Sequence, residues 1–491
     1  MSRIAFLQDL LNTIADQGRA LLPKSLVGDT EEGLQALVKA LMGGRGEASG
    51  VAIARQLVKH YRLLDDRERH AFFRYLAATL KPDQAKVEAA ARAYAQNPTD
   101  EALVRLQAAV ESPRQEFFRR LNLAPGATAA IVGMRSDLTG MIKGDPALAA
   151  LDADIRHLLQ SWFNRGFLVL RRIDWNTPAA ILEKIIAYEA VHEIRGWDDL
   201  RRRLDPADRR CFAFFHPNLV DEPLIFVEVA LMHDSPEAIS KVLKEARKSG
   251  DEAEDHEPTT AVFYSISNCQ EGLKGISFGN FLIKQVAEEL LREEPTLKTF
   301  VTLSPVPGFA RWLARQIGGG AESPVTDKDR EALSRLANPS WPQRADEGGQ
   351  IKAAGMAMAA HYFLAAKTPD GKPVDPVARF HLGNGARLER INWLGDVSDK
   401  GLSEAHGLMV NYLYDLKEIE KNHEAYANEG TVAASRGVRA LLRPPAKRPA
   451  ASRDEPAKAE ATVKAAPAKA DASAQVVVTA GPPRLPAPGK S

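Results

Sequence analysis

At 491 residues the chain exceeds what one hydrophobic core usually serves, and its 45% apolar and 26% charged residues make an ordinary globular balance. A formal net charge of +1 provides no field to gather a polyanion, so nucleic acid is not expected as a partner. No apolar run approaches the roughly 20 residues needed to cross a bilayer, which argues against a membrane protein.

The start, Met1 to Leu22, has no signal-peptide core, and Asp9 and Asp16 argue against a transit peptide, so a cytoplasmic protein is expected. Cys211 and Cys269 are the only cysteines, too few for a disulfide framework, and both are read as reduced thiols. Neither an H-E-x-x-H helix nor a C-x-x-C pair is present, so catalysis without a metal is the simpler premise.

Helices follow one another through the first third. Ile53, Leu57, Tyr61 and Leu64 recur at three- and four-residue intervals and so share one helix face. Phe73, Leu76 and Leu80 repeat the pattern, Asp83 to Ala95 follows Pro82, Glu101 to Val110 is again periodic, and Pro113 opens a further run through Phe118 and Leu121. This predicts a helical bundle over residues 1–166, of a kind that more often supports assembly than chemistry. The character changes after the stripe Leu151, Ile155, Leu158 and Trp162. Gly166 is a candidate C-terminal cap, and Phe167 to Leu170 begins an apolar run.

Beyond that boundary, strands are expected at Cys211 to Phe215, Leu224 to Leu231, Ala261 to Ser267, Thr299 to Leu303 and Arg387 to Trp393, with helices between several of them. Residues 167–440 are therefore read as a mixed α/β domain, giving an α+β chain of two domains. Glu228, inside an apolar strand, is read as facing water by strand alternation. His216, His361 and His406 are read as structural. From residue 441 the sequence becomes rich in alanine, proline and lysine, and a disordered tail over 441–491 is expected.

The most informative local feature is Ala261-Val262-Phe263-Tyr264-Ser265-Ile266-Ser267, then a loop with Gly272, Gly275 and Gly279, then a helix from Asn280 or Phe281. Strand, glycine turn and helix suit phosphate binding, because glycine lets the backbone approach an anion and the first-turn amides point at it. Lys274 would add a cation. The pattern fits neither the P-loop nor the dinucleotide fingerprint; it resembles, loosely, the pyrophosphate turn of GNAT-type acetyltransferases.

Three longer stretches carry more information: Phe263 to Lys284 (F-Y-S-I-S-N-C-Q-E-G-L-K-G-I-S-F-G-N-F-L-I-K), Leu303 to Trp312 (L-S-P-V-P-G-F-A-R-W), and Phe380 to Tyr414 with H-L-G-N-G-A, R-I-N-W and G-L-M-V-N-Y-L-Y. In order and content they resemble the malonyl-CoA decarboxylase family, as does S-W-F-N-x-G-F-L at Ser161 to Leu168. The resemblance implies a helical N-terminal domain, a GNAT-like C-terminal domain, malonyl-CoA as substrate, no cofactor and a homotetramer. Position by position it places Ser304 and His381 on the catalytic serine and histidine and Tyr414 on a tyrosine near the reacting group. Lys274, Gly275, Ile276, Ser277, Phe278, Gly279 and Asn280 fall on the CoA-binding loop.

The chemistry stands beside the resemblance. Loss of carbon dioxide from a malonyl thioester drives an electron pair into the thioester carbonyl, so the substrate is its own electron sink. The site must stabilise the enolate oxygen and protonate the α carbon. Ser304 is assigned to polarising and orienting the malonyl group, His381 to proton donation, and Tyr414 to orienting either; Asn384 and Asn392 are read as turn or core residues. Two other readings remain open: a GNAT-type N-acetyltransferase, which needs an amine acceptor, and a CoA-ester sensor that binds without turnover.

Overall fold

The computed structural model describes residues 13, 31–44, 46–244, 257–276, 278, 282–319, 323–338, 341–342 and 349–443. The expected tail lies outside these residues from position 444 onward, as does nearly all of the start.

By contacts the chain divides into two compact units. The first holds residues 1–169 together with Phe214–Leu224 and Gln270–Phe278; the second holds the rest. In the first, eight α-helices are described between Glu31 and Trp162, with no strand among the described residues before Val169. Their starts follow capping chemistry. Asp65 and Glu68 exchange side-chain and backbone hydrogen bonds at 2.8 Å each, closing a capping box at the head of Asp66–Thr79. Ser112 caps Pro113–Leu121, whose proline occupies the position where a missing N–H costs nothing.

The helical periodicity reads correctly in the core. Ile53, Leu57, Phe73, Leu76, Phe117, Phe118, Leu151 and Ile155 are all fully buried. Gln84–Gln96 and Asp100–Val110 differ: neither contributes a buried residue, and Leu103, Val104 and Val110 are exposed. Gly166 does not cap a helix. Ala149–Trp162 ends with Phe163 as its cap, and Arg165–Phe167 forms a separate 3-10 turn.

The second unit holds most of an eight-stranded sheet: β1 Val169–Ile173, β2 Arg209–Phe215, β3 Pro223–Met232, β4 Thr260–Asn268, β5 Thr299–Thr302, β6 Ser304–Pro305, β7 Arg387–Asn392 and β8 Met409–Leu413. The order is β1-β2-β3-β4-β5-β8-β6, with β7 also paired to β8. β3 and β4 run antiparallel, whereas β4 and β5 are parallel. That parallel ladder is short. It runs from Thr260 opposite Thr299 to Phe263 opposite Thr302, while β4 continues to Asn268. Leu303 N–H still donates to Phe263 O at 2.9 Å, and the chain then leaves β4 to pair Ser304 with Val410 of β8. The sheet is thus split between β4 and β6.

β8 was not anticipated as a strand, although its residues lie within a quoted motif. It sits at the centre of three pairings, with β5, β6 and β7. β3 is buried along nearly its whole length, so alternation fails there as a guide to solvent. Glu228 is fully buried and paired with Arg203 at 3.0 Å, contrary to the water-facing position expected. Cys211 and Cys269 are buried free thiols.

Candidate active site

The split in the sheet positions the site. Leu303, Ser304, Pro305 and Pro307 form one wall of a pocket, and Phe263, Tyr264, Ile266 and Asn268 of β4 form another. Val377, Phe380 and His381 close it, and Ala190, Val191, Lys400 and Glu404 complete the lining. The cavity itself is small, about 70 Å³, and it opens to solvent.

His381 arrives in the last turn of Pro376–Gly383. Asp375 caps that helix by accepting the Ala378 N–H at 2.7 Å, and Pro376 stands at its first position. The helix stops at Asn384, and Gly385 follows with φ +82, where a Cβ would lie 2.2 Å from the Ile419 carbonyl oxygen. The H-L-G-N-G-A motif is therefore a helix end and a turn that only glycine fits. Tyr414 sits just past β8, its N–H donating to Phe300 O at 2.8 Å.

These elements bring three residues together. Ser304 Oγ lies 3.1 Å from His381 Nε2, and His381 Nδ1 lies 2.8 Å from the Tyr414 hydroxyl. All three are buried. Tyr412 stacks on the imidazole at 4.4 Å between ring centres and 23° between planes, which fixes the ring's orientation. Burial pushes the His381 pKa down to about 3 and that of Tyr414 well above its ordinary value, so both are neutral near pH 7.

Thr302 completes the chain and was missed in the sequence. Its Oγ1 accepts from Ser304 Oγ at 2.8 Å and from Tyr412 N–H at 3.1 Å, in a fully buried position. Its carbonyl accepts from Asn411 Nδ2 at 2.8 Å, and Asn392 Nδ2 in turn donates to Asn411 Oδ1 at 2.8 Å. The only signal in the sequence was a second hydroxyl two residues before Ser304. With Ser304 donating to Thr302, the Nε2 proton points to Ser304, and Tyr414 O–H donates to Nδ1. Asn384 Nδ2 donates to Phe380 O at 2.8 Å, the turn role expected of it.

Within the first unit, the glycine loop is tied down by Arg135, whose Nη1 donates to Gly272 O at 2.7 Å and Lys274 O at 2.9 Å. A Cβ on Gly272 would overlap the Val132 carbonyl oxygen at 1.8 Å, so this glycine permits close backbone packing. Gly275 has φ +78, Lys274 is exposed, and Ile276 is buried. Ser277, Gly279 and Asn280 lie outside the described residues. His216 of the same unit accepts a structural position, its Nε2 lying 3.1 Å from Trp162 O.

Residues 80–163 match the malonyl-CoA decarboxylase N-terminal domain family and residues 166–452 the C-terminal domain family. The chain belongs to the malonyl-CoA decarboxylase family. Mitochondrial malonyl-CoA decarboxylase of Anser anser anser is 35% identical over 354 residues, covering 67% of this chain and 70% of that protein. The Rattus norvegicus enzyme is 34% identical over 361 residues, covering 69% and 73%. The crystal structure of malonyl-CoA decarboxylase from Rhodopseudomonas palustris is 54% identical, covers 84% of this chain and 99% of its own, and superposes with a TM-score of 0.79. That from Agrobacterium vitis is 53% identical, covers 84% and 100%, and gives 0.77. The chain is accordingly an enzyme, a decarboxylase of this family. No helix among the described residues is long and apolar enough to cross a membrane.

Proposed function

We propose that the pocket converts malonyl-CoA to acetyl-CoA and carbon dioxide, with Ser304 polarising the thioester and His381 donating the proton. The observation that carries this reading is the buried chain Ser304–His381–Tyr414, joined by contacts of 3.1 and 2.8 Å at the wall of a largely apolar pocket.

As the bond from the α carbon to the carboxylate breaks, its electron pair enters the thioester carbonyl and carbon dioxide leaves. The Ser304 hydroxyl turns from Thr302 to the developing oxyanion, a donor worth roughly 3 kcal/mol in a water-poor site. The enolate then takes a proton at the α carbon. A thioester enolate is a stronger base than imidazolate, so the neutral Nε2–H suffices as donor and no imidazolium is needed. Tyr414, hydrogen-bonded to Nδ1, shares the charge left on the ring, and the proton consumed in each turnover is restored from solvent. Thr302 is a positioning residue that sets the direction of the Ser304 hydroxyl between turnovers.

The loop Lys274, Gly275, Ile276, Ser277, Phe278, Gly279 and Asn280 is proposed to cradle the CoA diphosphate. Its support is the positive φ of Gly275 and the anchored backbone around it. For residues 1–166 we propose a role in assembly, to a homotetramer, supported by the exposed Leu103, Val104 and Val110. A cytoplasmic location stays part of this proposal, while the goose and rat relatives are named mitochondrial.

Purified protein given malonyl-CoA alone tests the reading. Acetyl-CoA and carbon dioxide should form in equal amounts. Intact malonyl-CoA would reduce the protein to a CoA-ester binder, and consumption only with an added amine would make it an acyltransferase.

A further inference from the structure

The groups that surround the proposed reaction are uncharged. Ser304, Thr302 and Tyr414 carry no charge near neutrality, and burial holds His381 neutral. Malonyl-CoA differs from its product by one carboxylate, and bringing that anion to an apolar wall without a partner is costly. Two charged side chains line the pocket, Lys400 and Glu404, one turn apart on Asp399–Ala405. Glu404 repels an anion. Lys400 is exposed, and its ammonium donates to the carbonyl oxygen of Ala190, another lining residue, at 2.7 Å. Among the described residues no carboxylate lies within ion-pair distance of that ammonium. An ammonium has three donors, so two remain for an incoming group.

From this we propose that Lys400 is the specificity-determining cation of the pocket, which takes the free carboxylate of the acyl group and so favours malonyl-CoA over acetyl-CoA. The inference rests on the decarboxylase reading. The contact acts on the bound reactant and not on the chemical step. Charge leaves the carboxylate as carbon dioxide forms, so an ammonium clamped there throughout would hold back the reaction. Lys400 therefore governs capture, and the chain at Ser304 governs turnover.

The full-length protein and its Lys400→Met and Lys400→Arg variants test this, with kinetics on malonyl-CoA, calorimetric affinities for acetyl-CoA, and malonyl-CoA affinities read with each form carrying His381→Asn to slow turnover. The Met variant should weaken malonyl-CoA affinity and raise its KM by about tenfold, the scale of one charge-assisted contact. Its acetyl-CoA affinity should be unchanged, kcat should not fall, and the Arg variant should stay near wild type. Unchanged malonyl-CoA affinity in the Met variant overturns the proposal. So does a parallel loss for acetyl-CoA, which would make the Lys400–Ala190 contact a support for the pocket wall, or a collapse of kcat at unchanged KM. Failure of the decarboxylase reading looks different: the wild type would leave malonyl-CoA intact, and the two affinities would still decide the role of Lys400.

Discussion

Around β6 and β8, Thr302, Ser304, His381 and Tyr414 are linked by hydrogen bonds and carry no charge, whereas at β3 the fully buried Glu228 is paired with Arg203 at 3.0 Å. Both groups are buried and draw on strands of one sheet, but only the first reaches the pocket, through Ser304 and His381. At β3 burial pushes the Glu228 carboxyl up while the Arg203 guanidinium pulls it back toward the charged form, and Glu228 Oε1 and Arg203 Nε find no hydrogen-bond partner among the described residues. An ion pair of that kind ties one segment to another, because removing either member strands a charge. The chain at Ser304 does the reverse. With no charge stored beforehand, its donors are, on the proposed mechanism, left to respond to the charge that forms on the thioester oxygen.

The widest separation between the two groups should come from Ser304→Ala, which removes the proposed oxyanion donor. Its kcat is expected to fall about 100- to 1,000-fold, with acetyl-CoA affinity and thermal unfolding unchanged. Near-normal turnover in that variant would remove Ser304 from the mechanism. Arg203→Met should act on the other side of the comparison, lowering stability by about 3 to 5 kcal/mol in denaturant titrations while the folded fraction keeps its kcat. Loss of kcat in fully folded protein would tie the ion pair to the chemistry.

Smaller changes sharpen the picture. Thr302→Val should lower kcat about tenfold, the scale of one misdirected hydrogen bond, with KM unchanged, and Thr302→Ser should restore it. A purely structural threonine would instead show lost stability that serine does not repair. Gly275→Val forces a β-branched residue to φ +78 and should weaken malonyl-CoA and acetyl-CoA binding alike by a few-fold, at a strain of about 1 to 3 kcal/mol. Unchanged affinity for both esters would count against the diphosphate cradle. The histidine offers the finest distinction. Burial disfavours its charged form and sets the folded pKa below the usual value, so in NMR titration His381 should stay neutral from pH 8 down through pH 5. A midpoint near pH 6.5 would restore imidazolium as the donor.

Much of this architecture was legible because it follows from local rules. Helical stripes such as Ile53, Leu57 and Tyr61 point inward, and capping residues mark the helix starts. Five of the strands were located to within one or two residues, since apolar runs bounded by turn residues announce themselves. β8 escaped because Met409–Leu413 mixes Asn411 and Tyr412 into a short run, and its place is fixed by three partners far away in sequence. Glu228 was misread because alternation assumes one wet face, and β3 has none. The members of the candidate site, Ser304, His381 and Tyr414, were named from their motifs; that they meet could not be read there. Thr302 becomes visible only when β5 ends and the chain swings to β8, a long-range event that no short window of sequence encodes.

The most direct test is turnover of malonyl-CoA in deuterium oxide by the wild type and by His381→Asn. The account predicts that the wild type releases carbon dioxide and acetyl-CoA bearing one solvent-derived deuterium, while the variant binds malonyl-CoA normally and turns it over at least about 100-fold more slowly. A variant that makes deuterated acetyl-CoA at the wild-type rate would contradict it, since the proton would then reach the α carbon without the imidazole.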